Sequence, residues 1–168
     1  MVDMDKYFID KLKLSTSIPD IFEVVKEIVW KTIKRSRAGL ELGLVELGNH
    51  PRGFLGAYYV SGSNIIIMNG TPLKRIQETN PNLLVPYTFS ILLHEYLHSL
   101  GFFNEKLVRK LTYEISCEIF GENSVIAEIA RDMRRFFPNF IYPGGAPKID
   151  APVKLIKDFD KSNIRYIG

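Results

Sequence analysis

The chain has 168 residues, of which 46% are hydrophobic and 24% are charged, and its formal net charge is +3. This length and composition predict one globular domain with one core, and no apolar run approaches the ~20 residues of a membrane-spanning helix. The basic residues are scattered along the chain, so we expect no nucleic-acid partner.

Two features of the sequence predict a cytoplasmic location. Asp and Lys residues interrupt the apolar residues of the N-terminus, which is unlike a secretory signal. Cys117 is the only cysteine, which excludes an internal disulfide and is typical of a reducing compartment. We therefore expect a cytoplasmic protein without a membrane span.

The first half of the chain predicts one helix and a small sheet. Residues 19–37 place apolar side chains at helical spacing. Residues 40–47 shift towards alternation of apolar and polar residues, which is typical of a half-buried strand. Residues 54–69 contain two β-rich runs around the turn-forming residues 61–64, which predicts a hairpin. A short helix is expected after Pro72.

The chain from residue 86 to residue 135 is predicted to be helical. Residues 86–100 are apolar nearly all round, so we expect this helix to be buried. A second helix is expected to begin after Asn104, its N-cap, and to continue to Phe120. A third helix should run from about Asn123 to Arg135.

Beyond Pro138 the composition changes, because prolines and adjacent glycines become frequent. We therefore divide the chain into a domain of residues 1–137 and an extended C-terminal tail of residues 138–168. The predicted fold class is α+β, with an N-terminal helix, a three-stranded and mainly antiparallel sheet, two long helices and the tail.

The buried helix carries the segment His94-Glu95-Tyr96-Leu97-His98. Side chains four residues apart share one helix face, so His94 and His98 can both direct a ring nitrogen at one Zn²⁺ about 2 Å away. Glu95 is then placed to take a proton from a water activated by the metal. The alternative is a pair of core histidines, but these polar groups would then need other partners in a low-dielectric interior.

A catalytic zinc site usually has three protein ligands, and no histidine follows His98. On the next helix, Glu118 faces the apolar stripe and Glu114 lies at its edge, so we predict Glu118 as the third ligand and Glu114 as the alternate. In the other interpretation both carboxylates reach water at the edge of the stripe. Glu122 is a candidate for a hydrogen bond to a ligating histidine.

The motif His94-Glu95-x-x-His98 with a glutamate on the next helix resembles the gluzincin metallopeptidases, which are thermolysin-like in their active-site arrangement. Residues 56–59 and 65–70, separated by a turn, are similar to the edge-strand hairpin that precedes the active-site helix in that family. The short chain most resembles the minimal gluzincins of archaea.

This resemblance implies a zincin-like fold, one catalytic Zn²⁺ and the hydrolysis of peptides or unfolded proteins. It implies His94 and His98 as zinc ligands and Glu95 as the general base. The substrate would pair in extended form along the edge strand. The substrate-binding residues it implies are Gly56, Ala57 and Tyr58.

Larger members of the family stabilise the oxyanion with a His or Tyr from a C-terminal subdomain, and no histidine lies downstream here. Tyr113 is the candidate for this role, and Tyr142 is the other tyrosine considered. The tail is a candidate latency device that lies across the cleft, either in its own molecule or in a homo-oligomer.

Three other functions compete with an active gluzincin. A non-catalytic or latent zinc-binding protein could share the zincin-like fold. The segment that begins at His94 also resembles the metzincin pattern and the zinc motif of the YbeY-like endoribonucleases. Asn104 counts against both families, because each of them has a histidine at that position.

Overall fold

The computed structural model describes residues 4–47, 53–142 and 152–161. Within these ranges the fold class is α+β, as predicted, with seven α-helices and a small mixed sheet. The helices are α1 (Met4–Lys13), α2 (Ile18–Ile33), α3 (Gly70–Thr79), α4 (Leu84–Ser99), α5 (Glu105–Phe120), α6 (Val125–Arg131) and α7 (Met133–Phe136). The strands are β1 (Glu41–Val45), β2 (Phe54–Leu55), β3 (Ala57–Tyr59), β4 (Ile65–Asn69), β5 (Phe140–Ile141) and β6 (Lys154–Ile156).

Helix α2 begins and ends at residues whose chemistry suits a helix terminus. The hydroxyl of Ser17 accepts a hydrogen bond from the N–H of Asp20, and Pro19 occupies the first turn, where its missing N–H is not needed. Lys34 ends the helix in the left-handed conformation, with φ at 55°. The predicted helix is therefore present, but it stops at Ile33 and not at Arg37.

Helix α4 occupies the centre of the fold. It packs against α2, α5, α6 and β3, and every residue from Tyr87 to Leu97 is buried. This burial follows from a sequence that is apolar nearly all round. Any polar side chain on this helix must therefore find its partners inside the protein.

The main sheet differs from the predicted one. It has four strands in the order β3-β4-β1-β6, and only the antiparallel β3–β4 hairpin was expected. Strand β4 lies between β3 and β1, and it runs parallel to β1. The fourth strand, β6, is antiparallel to β1, and β2 pairs separately with β5. The predicted sheet, three-stranded and mainly antiparallel, is thus replaced by a four-stranded mixed sheet, in which β1–β4 is parallel and the other two pairings among the described residues are antiparallel.

The described part of the C-terminal segment packs onto the rest of the fold. Strands β5 and β6 come from this segment, and Phe159 stacks on Phe22 with ring centroids 4.1 Å apart. Asp160 is 1% exposed, accepts a hydrogen bond of 2.9 Å from the N–H of Gly39, and forms an ion pair of 2.6 Å with Lys26. Proline and glycine content indicated an extended chain, but it could not indicate these tertiary contacts.

None of the helices within residues 4–47, 53–142 and 152–161 combines the length and the apolar character needed to cross a bilayer.

We predict that Asp160→Ala lowers the free energy of unfolding by about 3 kcal/mol, because breaking a buried ion pair leaves an uncompensated charge. The loss should lie at the lower end of the range that is usual for a broken buried ion pair, because Glu23 lies 3.0 Å from Lys26 and still compensates part of its charge. Chemical denaturation measures the change. The control Lys161→Ala breaks an exposed pair with Asp20 and should cost at most about 1 kcal/mol. Equal losses in the two variants would contradict the assignment.

Candidate functional site

Three side chains converge where α4 ends and α5 begins. His94, His98 and Glu105 each offer one ligand atom, and these atoms lie within 4.8 Å of one another. Nε2 of His94 is 2.7 Å from Oε1 of Glu105, and Nε2 of His98 is 2.9 Å from Oε2 of the same carboxylate. Among the described residues, this is the one group of three such side chains that could hold a metal ion.

The contact between His94 and Glu105 is close but is not aligned as a hydrogen bond. Nε2 of His94 and Oε1 of Glu105 are both buried, and neither has a hydrogen-bond partner among the described residues. Buried polar atoms without partners are rare in folded proteins. A cation held by both atoms would satisfy them, so the residues present fit a metal ion.

The orientation of the His98 ring is determined by the turn that follows α4. Nδ1 of His98 lies 2.8 Å from the carbonyl oxygen of Phe102. Because a carbonyl can only accept, Nδ1 must carry the hydrogen, which leaves the lone pair of Nε2 available in the neutral ring. Gly101 has a φ of +104°, which lets the chain reverse immediately after the helix.

The same turn brings Glu105 to the histidines. The side-chain oxygen of Asn104 accepts a hydrogen bond of 2.9 Å from the N–H of Leu107, so Asn104 is the N-cap that the sequence predicts. Glu105 is consequently the first residue of α5 and faces the last turn of α4. It follows His98 by seven residues.

The structure does not bring Glu118 or Glu114 to the histidines, because α5 leads away from them. At ~1.5 Å of rise per residue, Glu118 lies about 20 Å along the helix axis from Glu105. Both carboxylates are exposed, and Glu114 lies 3.8 Å from Lys110. Glu122 is also exposed and follows the end of α5, so it is not brought to a histidine.

Glu95 lies beside the two histidines and is 3% exposed. Burial raises the pKa of its carboxyl, while the charges of His94 and His98 and a backbone hydrogen bond from Tyr59 oppose the rise. A carboxyl group with a raised pKa can take up and release a proton closer to neutral pH than an exposed one. The arrangement therefore has the chemistry of a general acid and base.

The carboxylate and the imidazoles change one another's protonation. Burial alone would raise the pKa of Glu105, but the close contacts of its carboxylate with the rings of His94 and His98 lower that pKa well below its ordinary value. Burial alone would lower the pKa of His98, but the Glu105 carboxylate outweighs this effect and raises it. Protons and a metal cation would thus compete for the same ring nitrogen.

A cavity of about 20 Å³ adjoins His94 and Glu95. This volume is enough for about one water molecule. Tyr142 forms one wall of the cavity, with its ring centroid 5.8 Å from that of His94, and the Arg109 guanidinium lies 3.6 Å from the Tyr142 ring centroid. Tyr142, the residue that follows β5, therefore covers one side of the site.

The predicted substrate-binding residues lie at the edge of the main sheet. Ala57 and Tyr58 belong to β3, whose outer edge pairs with no strand among the described residues, and Ala57 also lines the small cavity. Gly56 precedes them at a close contact, since a Cβ there would lie 2.8 Å from the Phe140 ring and 2.9 Å from the Tyr87 hydroxyl. The side chain of Tyr58 is buried in a separate apolar cluster.

Of the two tyrosines considered for the oxyanion, only Tyr142 lines the small cavity. Tyr113 lies further along α5, where a hydrogen bond with Cys117 raises the pKa of its hydroxyl. His50, the third histidine of the chain, lies outside the described residues.

Sequence reasoning placed His94, Glu95 and His98 correctly on one helix but missed Glu105. The signal was present, because Asn104 was predicted as the N-cap and Glu105 as the first helical residue. A helical projection of α5 ranks its residues by face, and it cannot show that the start of the helix lies against the end of α4.

Comparison with models of known protein families, with curated proteins and with solved structures found no match to this chain. The candidate function therefore depends on the chemistry and the geometry of the site itself.

Proposed function

We propose that this protein is a zinc-dependent metallopeptidase in which His94, His98 and Glu105 hold the metal and Glu95 is the general base. The observation that carries the proposal is the convergence of two imidazole nitrogens and one carboxylate beside a buried glutamate. Two histidines and one glutamate are the protein ligands of several catalytic zinc sites. The substrate would be a peptide or an unfolded protein.

The choice of zinc follows from the ligand chemistry. Imidazole nitrogens and a carboxylate oxygen suit Zn²⁺, whereas Ca²⁺ and Mg²⁺ prefer sites made of oxygen atoms. The hydrogen bond between Nδ1 of His98 and the Phe102 carbonyl is the kind of outer contact that orients a metal-ligating histidine. When bound, zinc would activate a water molecule and polarise the carbonyl of the scissile bond.

Each residue has a role that its environment supports. Glu95 would take the proton of the attacking water and pass it to the leaving amine, which requires a carboxyl with a raised pKa. The cavity beside His94 and Glu95 has room for that water. The outer edge of β3, which pairs with no strand in the part of the chain that the structure describes, offers backbone N–H and C=O groups to an extended substrate.

The resemblance to the gluzincins supports a peptidase through the motif and through the hairpin before the helix. It does not extend to the third ligand, because Glu105 is much closer to His98 in sequence than the predicted Glu118. We therefore retain peptide hydrolysis as the proposed reaction and replace Glu118 by Glu105 as the proposed third ligand.

A second proposal is that the protein is latent in the conformation described here. Tyr142 lies against His94, and the Arg109 guanidinium stacks on the Tyr142 ring, so both side chains line the small cavity. Deleting the chain after Phe137 would also remove β6, Phe159 and Asp160, which stabilise the fold. A single substitution at Tyr142 is therefore the cleaner test of latency.

We predict that Glu105→Gln weakens Zn²⁺ binding by more than about 100-fold. Replacing a residue that only hydrogen-bonds to a metal ligand already weakens metal binding by about 10–100-fold, and the loss of a ligand itself should weaken it further. Glu118→Gln is the matched control, since it makes the same change at an exposed position of the same helix, and it should leave the affinity unchanged. Competition with a chromophoric chelator measures both affinities. A larger loss in Glu118→Gln than in Glu105→Gln would refute the ligand assignment.

We predict that Glu95→Gln retains Zn²⁺ and lowers peptide hydrolysis by at least about 100-fold, because general base catalysis contributes about 10²–10⁴-fold. The assay follows cleavage of an unfolded protein by zinc-loaded samples, with metal content measured on the same samples. Undiminished hydrolysis by the variant would rule out Glu95 as the base. Absence of cleavage by the zinc-loaded wild type and by Tyr142→Ala would instead favour a non-catalytic zinc protein.

Tyr142→Ala should raise kcat/KM for a short peptide by about fivefold or more, since a cation–π contact of about 1 kcal/mol holds the cover in place. Tyr7→Ala, which removes a partly exposed tyrosine from α1, is the control and should leave kcat/KM unchanged. If Tyr142→Ala lowers kcat/KM, Tyr142 acts in catalysis and not as a cover.

A further inference from the structure

A second, larger depression lies between α5 and the α6–α7 region. It has a volume of about 350 Å³ and is lined by four cationic side chains but only one carboxylate, Asp132. We call it the basic groove, and its cationic residues are Arg109, Lys110, Arg131 and Arg134.

The basic groove adjoins the cavity beside Glu95. Arg109, Met133 and Tyr142 line both of them. A ligand in the groove would consequently lie against the same side chains that form the wall of the small cavity. The groove is therefore placed to contact a substrate residue next to the bond that is cleaved.

The positive charge of the groove is only partly neutralised within the protein. Among the described residues, no carboxylate lies within 4.0 Å of the charged nitrogens of Arg131 or Arg134. Lys110 has Glu114 at 3.8 Å on the exposed surface, and Arg109 has Glu105 at 3.7 Å. Cations that face one groove without matching anions favour an anionic ligand.

One hydrogen bond holds the Arg134 side chain of the groove in place. Nε of Arg134 donates a hydrogen bond of 3.2 Å to the carbonyl oxygen of Phe140. This bond ties α7 to β5 and leaves the terminal nitrogens of the guanidinium for a ligand. Guanidinium groups bind carboxylates with two parallel hydrogen bonds.

We propose that the basic groove binds acidic side chains of the peptide substrate, an inference that rests on the proposed peptidase function. The enzyme would therefore select peptides that carry Glu or Asp beside the scissile bond. A nucleic acid is disfavoured, because its affinity comes from many phosphate contacts along an extended basic surface, and this groove holds only a few side chains.

The test compares two labelled peptides that differ only in Glu against Gln at three adjacent positions. Fluorescence anisotropy with the metal-free full chain measures binding, so the result does not require hydrolysis. We expect the Glu peptide to bind about tenfold more tightly at about 0.05 M salt, and the ratio to fall towards one at about 1 M salt.

The double variant Lys110→Gln/Arg131→Gln should reduce the ratio to about twofold or less, because it removes two of the four cations. Lys74→Gln/Arg75→Gln is the matched control on α3, which does not line the groove, and it should keep the wild-type ratio. Circular dichroism verifies that both variants are folded.

Three results would overturn the proposal: equal binding of the two peptides, equal loss in the control variant, or tighter binding of an RNA oligonucleotide of the same charge. Hydrolysis of both peptides by the zinc-loaded protein is measured in parallel. Charge-selective binding without hydrolysis by either the wild type or Tyr142→Ala would refute the peptidase and support the groove. Hydrolysis without charge selectivity would support the peptidase and refute the groove.

Discussion

The burial of α4 on all sides is the constraint on which the rest of the structure depends. Two imidazoles and a carboxylate on a helix without a solvent face must be satisfied by neighbouring elements. The turn at Gly101 and the N-cap at Asn104 place the Glu105 carboxylate against both histidines, which satisfies His98 and leaves Nε2 of His94 and Oε1 of Glu105 for a cation. The candidate metal centre is thus built by the junction of two helices.

The same burial accounts for the properties of Glu95. Its carboxyl lies between the histidines and the edge strand β3, where low exposure raises its pKa and the Tyr59 backbone supplies one hydrogen bond. Arg37 holds this edge in place, because its guanidinium donates to the Tyr59 hydroxyl and to the Ser99 carbonyl at the end of α4. The strand and the helix are therefore held in one position relative to the site.

The C-terminal segment has both a structural and a covering role. Phe159 and Asp160 complete the core beside α2, and β6 extends the main sheet. Tyr142, nearer to Phe137, forms a wall of the small cavity and of the basic groove. One segment thus packs on the core at its far end and lines the candidate site at its near end.

The amino-acid sequence alone predicts the features that depend on interactions between neighbouring residues. The apolar periodicity of α2 and α4, the hairpin of β3 and β4, the N-cap at Asn104 and the spacing of His94, Glu95 and His98 follow from interactions between residues a few positions apart. The order of the sheet, the packing of the C-terminal segment and the position of Glu105, rather than Glu118, beside the histidines are visible only in the tertiary structure. The reason is that each of these features depends on the direction in which the chain leaves one element and enters the next. A turn residue such as Gly101 sets this direction, and a helical projection contains no information about it.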